Sequence, residues 1–218
     1  MSNFKDSHQF TTHDDYYTPL SAWKQIDRFI KAKGYNKIFE CFLLGSNEQS
    51  KNNLKSLGYE VIGSKFVDIF DPNTHSYDIK DKNYDIIVSN PPFERIRSYK
   101  QRKDSLKYKC LAYLLALDKP FIIIMNSTNL FQKWFKELVE GKDIKFIFPS
   151  RKINYNKYNK GGVDEVKTRK IYLTELKKTK KNLTEDEKIV YDSLPALDSC
   201  SFNSIYVCYK VLDKNEWI

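Results

Sequence analysis

The sequence predicts an α/β fold, a mostly parallel sheet with helices on both faces. Three observations predict it. Short apolar, β-branched segments recur along the chain, segments with helically spaced apolar residues lie between many of them, and most of the links are short. Strands that alternate with helices are joined by crossovers, and crossovers lay the strands parallel. The 218 residues supply one well-buried core and hardly two, so a single domain spanning residues 1–218 is expected.

After a polar lead, Pro19 follows Thr18 at the start of a helix, and Leu20, Trp23, Ile26 and Ile30 keep helical spacing up to Gly34. Residues 37–44 read as a short buried strand ended by Gly45, and residues 50–57 as a helix closed by Gly58. Strands are expected over 59–62 and 84–89, then a helix over 105–117, a strand over 120–125, a helix over 129–140 and a strand over 144–148. The segment 152–195 interrupts this pattern. It is polar, carries Gly161-Gly162 and is expected to be an insertion on the rim of the sheet. Residues 202–212 are β-branched and aromatic, which predicts a closing antiparallel edge strand or hairpin.

A hydrophobic fraction of 41% with 15% aromatics excludes a disordered chain. No stretch approaches the roughly 20 apolar residues of a membrane span. The first eight residues are polar and lack the apolar core of a signal peptide, so an intracellular, soluble protein is expected. Cys41, Cys110, Cys200 and Cys208 form no Cys-x-x-Cys pair and lie in or beside apolar sequence, which predicts buried thiols rather than a zinc site or a disulfide framework. His8, His13 and His75 have no Cys or carboxylate partners at ligand spacing, so no metal site is expected. Richness in Lys, Asn, Ile and Tyr is what an AT-rich genome produces, a viral one among them.

The formal charge of +9 is uneven. Between Arg151 and Lys181 there are eleven Lys or Arg residues, among them Lys152, Lys157, Lys177, Lys178 and Lys180, against three acidic residues. A second cluster holds Arg95, Arg97, Lys100, Arg102, Lys103, Lys107 and Lys109. Tyr99, Tyr108, Tyr155 and Tyr158 interleave the two, and that combination contacts phosphates and stacks on bases. The same charges also serve as a solubilising surface, and composition leaves both readings open.

The strongest single signal is Ser89-Asn90-Pro91-Pro92-Phe93, at the carboxyl end of a predicted parallel strand, where open α/β sheets bind ligands. Prolines there also make an ordinary strand-terminating turn. Asn90-Pro91-Pro92-Phe93 resembles the catalytic motif of the amino-methyltransferases, above all the N6-adenine-specific DNA methyltransferases of the small phage and large-DNA-virus type. Tyr16-Tyr17-Thr18-Pro19 resembles the cofactor-contacting motif that precedes their first strand. Glu40-Cys41-Phe42 resembles the Glu-Pro-Phe opening of their glycine loop, where Gly45 and Ser46 follow. Val67-Asp68-Ile69-Phe70 resembles the acidic motif before the catalytic strand. Lys119-Pro120-Phe121, the segment 147–151 and the aromatic strand 204–210 continue in the order of the family, so the resemblance spans residues 14–212 with the insertion excepted.

The resemblance implies a Rossmann-like class I methyltransferase fold and methyl transfer from S-adenosyl-L-methionine to N6 of adenine in DNA. It implies Asn90, Pro91, Pro92 and Phe93 as catalytic residues. It assigns cofactor contacts to Tyr16, Tyr17, Thr18, Pro19, Glu40, Cys41, Phe42, Gly45, Ser46, Asp68, Phe70 and Asn90. An adenine amino nitrogen is a poor nucleophile because its lone pair is delocalised into the ring. In the family mechanism the Asn90 oxygen and the Pro91 carbonyl accept its two hydrogens and localise that pair. The prolines stiffen the loop, and Phe93 stacks on an adenine taken out of its helix. The basic residues named above are the expected nucleic-acid contacts. Only Gly45 remains of the family's glycine-rich element, as Leu43-Leu44-Gly45-Ser46-Asn47. That loss motivates one alternative, a silent nucleic-acid-binding subunit of the same fold, and Asn-Pro-Pro-Phe, which also resembles the motif of RNA enzymes, motivates another, an adenosine methyltransferase on RNA; a partner subunit is open in each.

Overall fold

The computed structural model describes residues 16–41, 49–63, 83–91, 106–153, 155–157, 184–187 and 203–218. A two-residue strand β1 (Tyr16–Tyr17) leads into helix α1 (Leu20–Ala32). Pro19 is its N-cap, in extended conformation just outside the first turn. Trp23, Ile26 and Ile30 are fully buried along one stripe, and that burial holds an amphipathic helix on a sheet. Gly34 takes a φ of +71° and ends the helix in the left-handed turn that glycine adopts without strain. The chain continues through β2 (Lys37–Phe39), α2 (Gln49–Ser56), β3 (Glu60–Ile62), β4 (Ile86–Ser89), α3 (Leu106–Ala116) and β5 (Phe121–Asn126). A 3-10 turn (Ser127–Phe131) and α4 (Lys133–Val139) precede β6 (Ile144–Phe148), β7 (Asn156–Lys157), β8 (Ser204–Tyr209) and β9 (Glu216–Trp217).

Seven strands form one sheet in the order β3-β2-β4-β5-β8-β6-β9, and β1 pairs with β7 in a separate antiparallel ribbon. Neighbours are parallel except at β8, which runs antiparallel to both β5 and β6. The expected mostly parallel α/β sheet is therefore present, with an antiparallel C-terminal strand. That strand, however, is not an edge. It lies between β5 and β6, all six of its residues are buried, and β9 takes the edge instead.

Side chains alternate across the sheet with the two-residue period of a strand. Ile122 and Ile124 of β5, with Tyr206 and Cys208 of β8, meet Trp23, Ile26 and Leu54 of α1 and α2. Phe121, Ile123 and Met125, with Ile205 and Val207, meet Leu111 and Leu114 of α3 and Phe135 of α4. Helices thus cover both faces, as expected.

Two further expectations change. The helix expected over 129–140 is two pieces, because Gln132 is extended between the 3-10 turn and α4. Asn126 starts the turn earlier, its Oδ1 accepting from the Thr128 amide and hydroxyl at 2.9 Å each. The segment set apart as an insertion begins inside the core: Ile153 and Tyr155 are buried, and the Tyr155 hydroxyl lies 2.7 Å from Ser204 Oγ. Cys41, Cys110 and Cys208 are buried free thiols, while Cys200 lies outside the described residues. Among the described residues no helix is long and apolar enough to cross a membrane, and no three His, Cys, Asp or Glu side chains are grouped as metal ligands.

Candidate functional site

The site is built by the register of two adjacent strands. Ile38 pairs with Ile86 and Phe39 with Ile87, so Glu40 and Cys41 leave β2 beside Ser89, Asn90 and Pro91 leaving β4. From β2 the chain crosses outward to β3, and from β4 it crosses the other way to β5. The carboxyl ends of β2 and β4 therefore flank the topological switch point, the crevice where open α/β sheets take ligands.

Glu40 is 1% exposed, a burial that a carboxylate tolerates only with donors around it. Ser89 Oγ donates to its Oε1, and Ser50 Oγ donates to its Oε2 at 2.6 Å. Ser50 stands in the first turn of α2, whose positive end also favours an anion. One turn further along α2, Asn53 Nδ2 donates to the Thr18 carbonyl at 3.1 Å, and Thr18 is itself buried. A single short helix thereby holds the segment after β1 and the end of β2. Cys41 is buried, and burial, reinforced by the Glu40 carboxylate, keeps its thiol pKa well above the ordinary value. It is a protonated wall residue rather than a nucleophile.

Asn90 is half-buried. Its Oδ1 is shielded from solvent and has no hydrogen-bond partner among the described residues. Pro91 is buried and forms one side of a small pocket with Lys107, Cys110, Met125 and Asn129. Ile87 pairs with Phe121 and Ser89 with Ile123, so the residues leaving β5 stand next to those leaving β4.

The predicted residues divide accordingly. Thr18, Glu40, Cys41, Asn90 and Pro91 gather around α2 and the carboxyl ends of β2 and β4, with Pro19 capping α1. Tyr16 and Tyr17 form β1, whose partners are Lys157 and Asn156. Arg151 and Lys152 are exposed just beyond the carboxyl end of β6, which points the same way as β4 and β5. Phe42, Gly45, Ser46, Asp68, Phe70, Pro92 and Phe93 lie outside the described residues, as do Arg95, Arg97, Lys100, Arg102, Lys103, Lys177, Lys178, Lys180 and Lys181. Sequence reasoning missed Ser50, Ser89 as a Glu40 donor, and Asn129. It also missed the exposed Trp217 stacked on Phe148, ring centroids 4.5 Å apart. Of these only Ser89 carried a signal, its place directly before Asn90.

Compared with known proteins, the chain matches no family model and no curated protein.

Proposed function

We propose that this protein is an S-adenosyl-L-methionine-dependent methyltransferase acting on the N6 amino group of adenine in DNA. One observation carries the reading. At the switch point of the sheet, Asn90 Oδ1 is a buried acceptor without a partner among the described residues. A buried carbonyl oxygen left unpaired costs about 1–3 kcal/mol, and an adenine amino group brings two hydrogens to such a position. In this reading Asn90 Oδ1 accepts one of them and the Pro91 carbonyl the other, which draws the nitrogen toward a localised lone pair. The buried Pro91, with φ fixed by its ring, holds that carbonyl in place.

S-adenosyl-L-methionine supplies an electrophilic methyl group on its sulfonium. Glu40 and Cys41, where β2 ends beside the first turn of α2 and next to the end of β4, and Thr18, held one turn further along α2, are the described residues that would line its place. Tyr16, Tyr17, Pro19 and the residues following Cys41 complete that side in the proposal. The sheet, parallel but for one strand and covered by helices on both faces, is compatible with the Rossmann-like class I architecture. Phe93 stacks on the extruded base, and the basic residues hold the phosphates.

The test is transfer of labelled methyl from S-adenosyl-L-methionine to DNA and to RNA of mixed sequence, with the modified positions sequenced. Wild-type protein is expected to modify adenine in DNA. Asn90→Ala is expected to lower turnover by about 10²–10³-fold, the scale for losing one transition-state hydrogen bond, with cofactor affinity by titration nearly intact. Transfer confined to RNA assigns the RNA reading. Nucleic-acid binding with neither cofactor binding nor transfer assigns the silent subunit, and unchanged turnover in Asn90→Ala removes Asn90 from the mechanism.

A further inference from the structure

Trp217 is 76% exposed at the end of β9, the last strand at one edge of the seven-stranded sheet. A lone exposed apolar side chain is ordinary on a protein surface. This one is fixed in place. Its partner in β6 is Phe148, whose ring stacks on the indole with centroids 4.5 Å apart and planes 24° from parallel. Just beyond it the Ile218 amide donates to the Phe148 carbonyl at 3.0 Å, and the Ser150 amide donates to the Ile218 carbonyl. Phe148 therefore covers one face of the indole, and the exposure comes from the other face and the ring edges.

The stack is the outer end of a row of rings. Phe135 of α4, 2% exposed, contacts Phe146, and Phe146 contacts Phe148, with centroids 6.3 and 6.0 Å apart. The row runs from the core to solvent and stops at Trp217. Arg151 and Lys152, both exposed, follow directly on Ser150, so two cations leave the same pair of strands. The acidic neighbour Glu216 pairs with Ile147 and is directed to the opposite face of the sheet, since side chains alternate along a strand.

We propose that Trp217 is a stacking site for an unpaired base of single-stranded DNA, with Arg151 and Lys152 on the phosphates of the same strand. A rigid aromatic face beside cations is the combination that binds single strands, because every base has a π-face and every nucleotide a phosphate. A base laid on Trp217 continues the row of rings. The inference rests on the proposed action on DNA. It adds a contact on the carboxyl edge of the sheet, since β9 runs parallel to β6 and both point the same way as β4. In the strand order β9 stands four positions from β4, which at about 4.8 Å per strand is roughly 19 Å from the strand that leads into Asn90. The base on Trp217 is therefore a different one from the base at Asn90.

The experiment measures binding of the full chain to oligothymidylate and to an abasic DNA strand of the same length, across a range of salt. Oligothymidylate carries no adenine, so recognition at Asn90 does not enter. Trp217→Ala is expected to lose about 5- to 150-fold in affinity for oligothymidylate, the scale of one stacked base, and nothing on the abasic strand. The slope of log affinity against log salt is expected to stay unchanged in that variant, which removes no cation. Arg151→Gln combined with Lys152→Gln is expected to lower the slope by up to about 1.4 if both touch phosphates of a single strand. Wild-type tryptophan fluorescence is expected to be quenched by oligothymidylate and not by the abasic strand. Trp217→Phe keeps an aromatic face and is expected to retain most of the affinity without the quench, which tests the site if the alanine variant does not fold. An equal loss by Trp217→Ala on both strands overturns the inference, and so does an unchanged slope in the double variant. A loss seen with oligouridylate and not with oligothymidylate overturns the assignment to DNA. Dimerisation in sedimentation that disappears in Trp217→Ala, with no preference for strands that carry bases, gives the surface to a second copy of this chain and overturns the inference as well. Methyl transfer is scored separately, and its absence with the Trp217 effect intact overturns the enzymatic reading alone.

Discussion

Glu40 shows how much the candidate site depends on single hydrogen bonds. A carboxylate at 1% exposure has lost its water, and the Ser50 and Ser89 hydroxyls stand in for it, one from α2 and one from β4. Each serine also joins two segments that the chain connects only through long detours, residue 40 to 50 and residue 40 to 89. Removing one donor beside a buried charge costs about 1–3 kcal/mol. Ser50→Ala and Ser89→Ala are each expected to lower stability by that amount in urea denaturation, with an unchanged m-value because the folded and unfolded surfaces stay the same. A wild-type midpoint in Ser89→Ala would show that Glu40 is satisfied without it. Neither serine was legible as a Glu40 partner, since a hydroxyl's partner across 10 or 49 residues is fixed by strand register and not by local pattern. Asn90 was legible, because two prolines after an apolar strand leave few structures for the chain to adopt.

At the scale of elements, the turn before β5 is tied to the end of β8. Asp118, in left-handed conformation, accepts from the Tyr209 hydroxyl at 2.6 Å and from Lys210 Nζ at 2.7 Å. The Lys210 and Tyr209 donors hold the Asp118 carboxyl below its ordinary pKa, and the same contact raises that of Lys210. A lowered carboxyl pKa stabilises the fold fully above its unfolded value, and that contribution is lost as pH falls through the folded value. The raised ammonium pKa acts in reverse, with full stabilisation below its unfolded value and loss as pH rises through the folded one. The link is thus intact between about pH 5 and pH 9. The Tm difference between wild type and Asp118→Asn is expected to be constant across that window and to shrink on acidification below it. A difference that does not change on acidification would assign the effect to the turn conformation alone. The partners of Asp118 belong to a strand that sequence reading placed at an edge. The run Ser204-Ile-Tyr-Val-Cys-Tyr209 is nearly all apolar, the pattern of a strand covered on both faces, so the signal for an interior position was present. What the pattern does not contain is which two strands it separates, because pairing over some eighty residues of sequence leaves no local trace. The break at Gln132 is similar: the apolar spacing continues through it, and Gln132, extended and without a side-chain cap, starts the second helix with no local sequence signal.

For the whole molecule, strand order and charge act together. The switch point sets Glu40, Asn90 and Pro91 at one edge of the sheet, and Arg151 and Lys152 lie exposed on that same edge beyond β6. Trp217, 76% exposed against Phe148, adds an aromatic surface beside them. With a net charge of +9, long-range attraction to nucleic acid follows whatever the local contacts are, so affinity at one salt concentration does not separate a binding surface from a merely soluble one. The slope of log affinity against log salt does, because it counts phosphates neutralised at the interface, about 0.9 per contact on duplex DNA. Replacing Lys177, Lys178, Lys180 and Lys181 with Gln is expected to lower that slope by up to about 3.6 if all four touch phosphates. Asn90→Ala, which removes no cation, is expected to leave it unchanged. The two results together would separate a grip on the backbone from the base recognition proposed for Asn90. An unaltered slope in the quadruple variant would remove Lys177, Lys178, Lys180 and Lys181 from the proposed phosphate contacts and leave Arg151, Lys152 and the 95–109 cluster as the candidates for them.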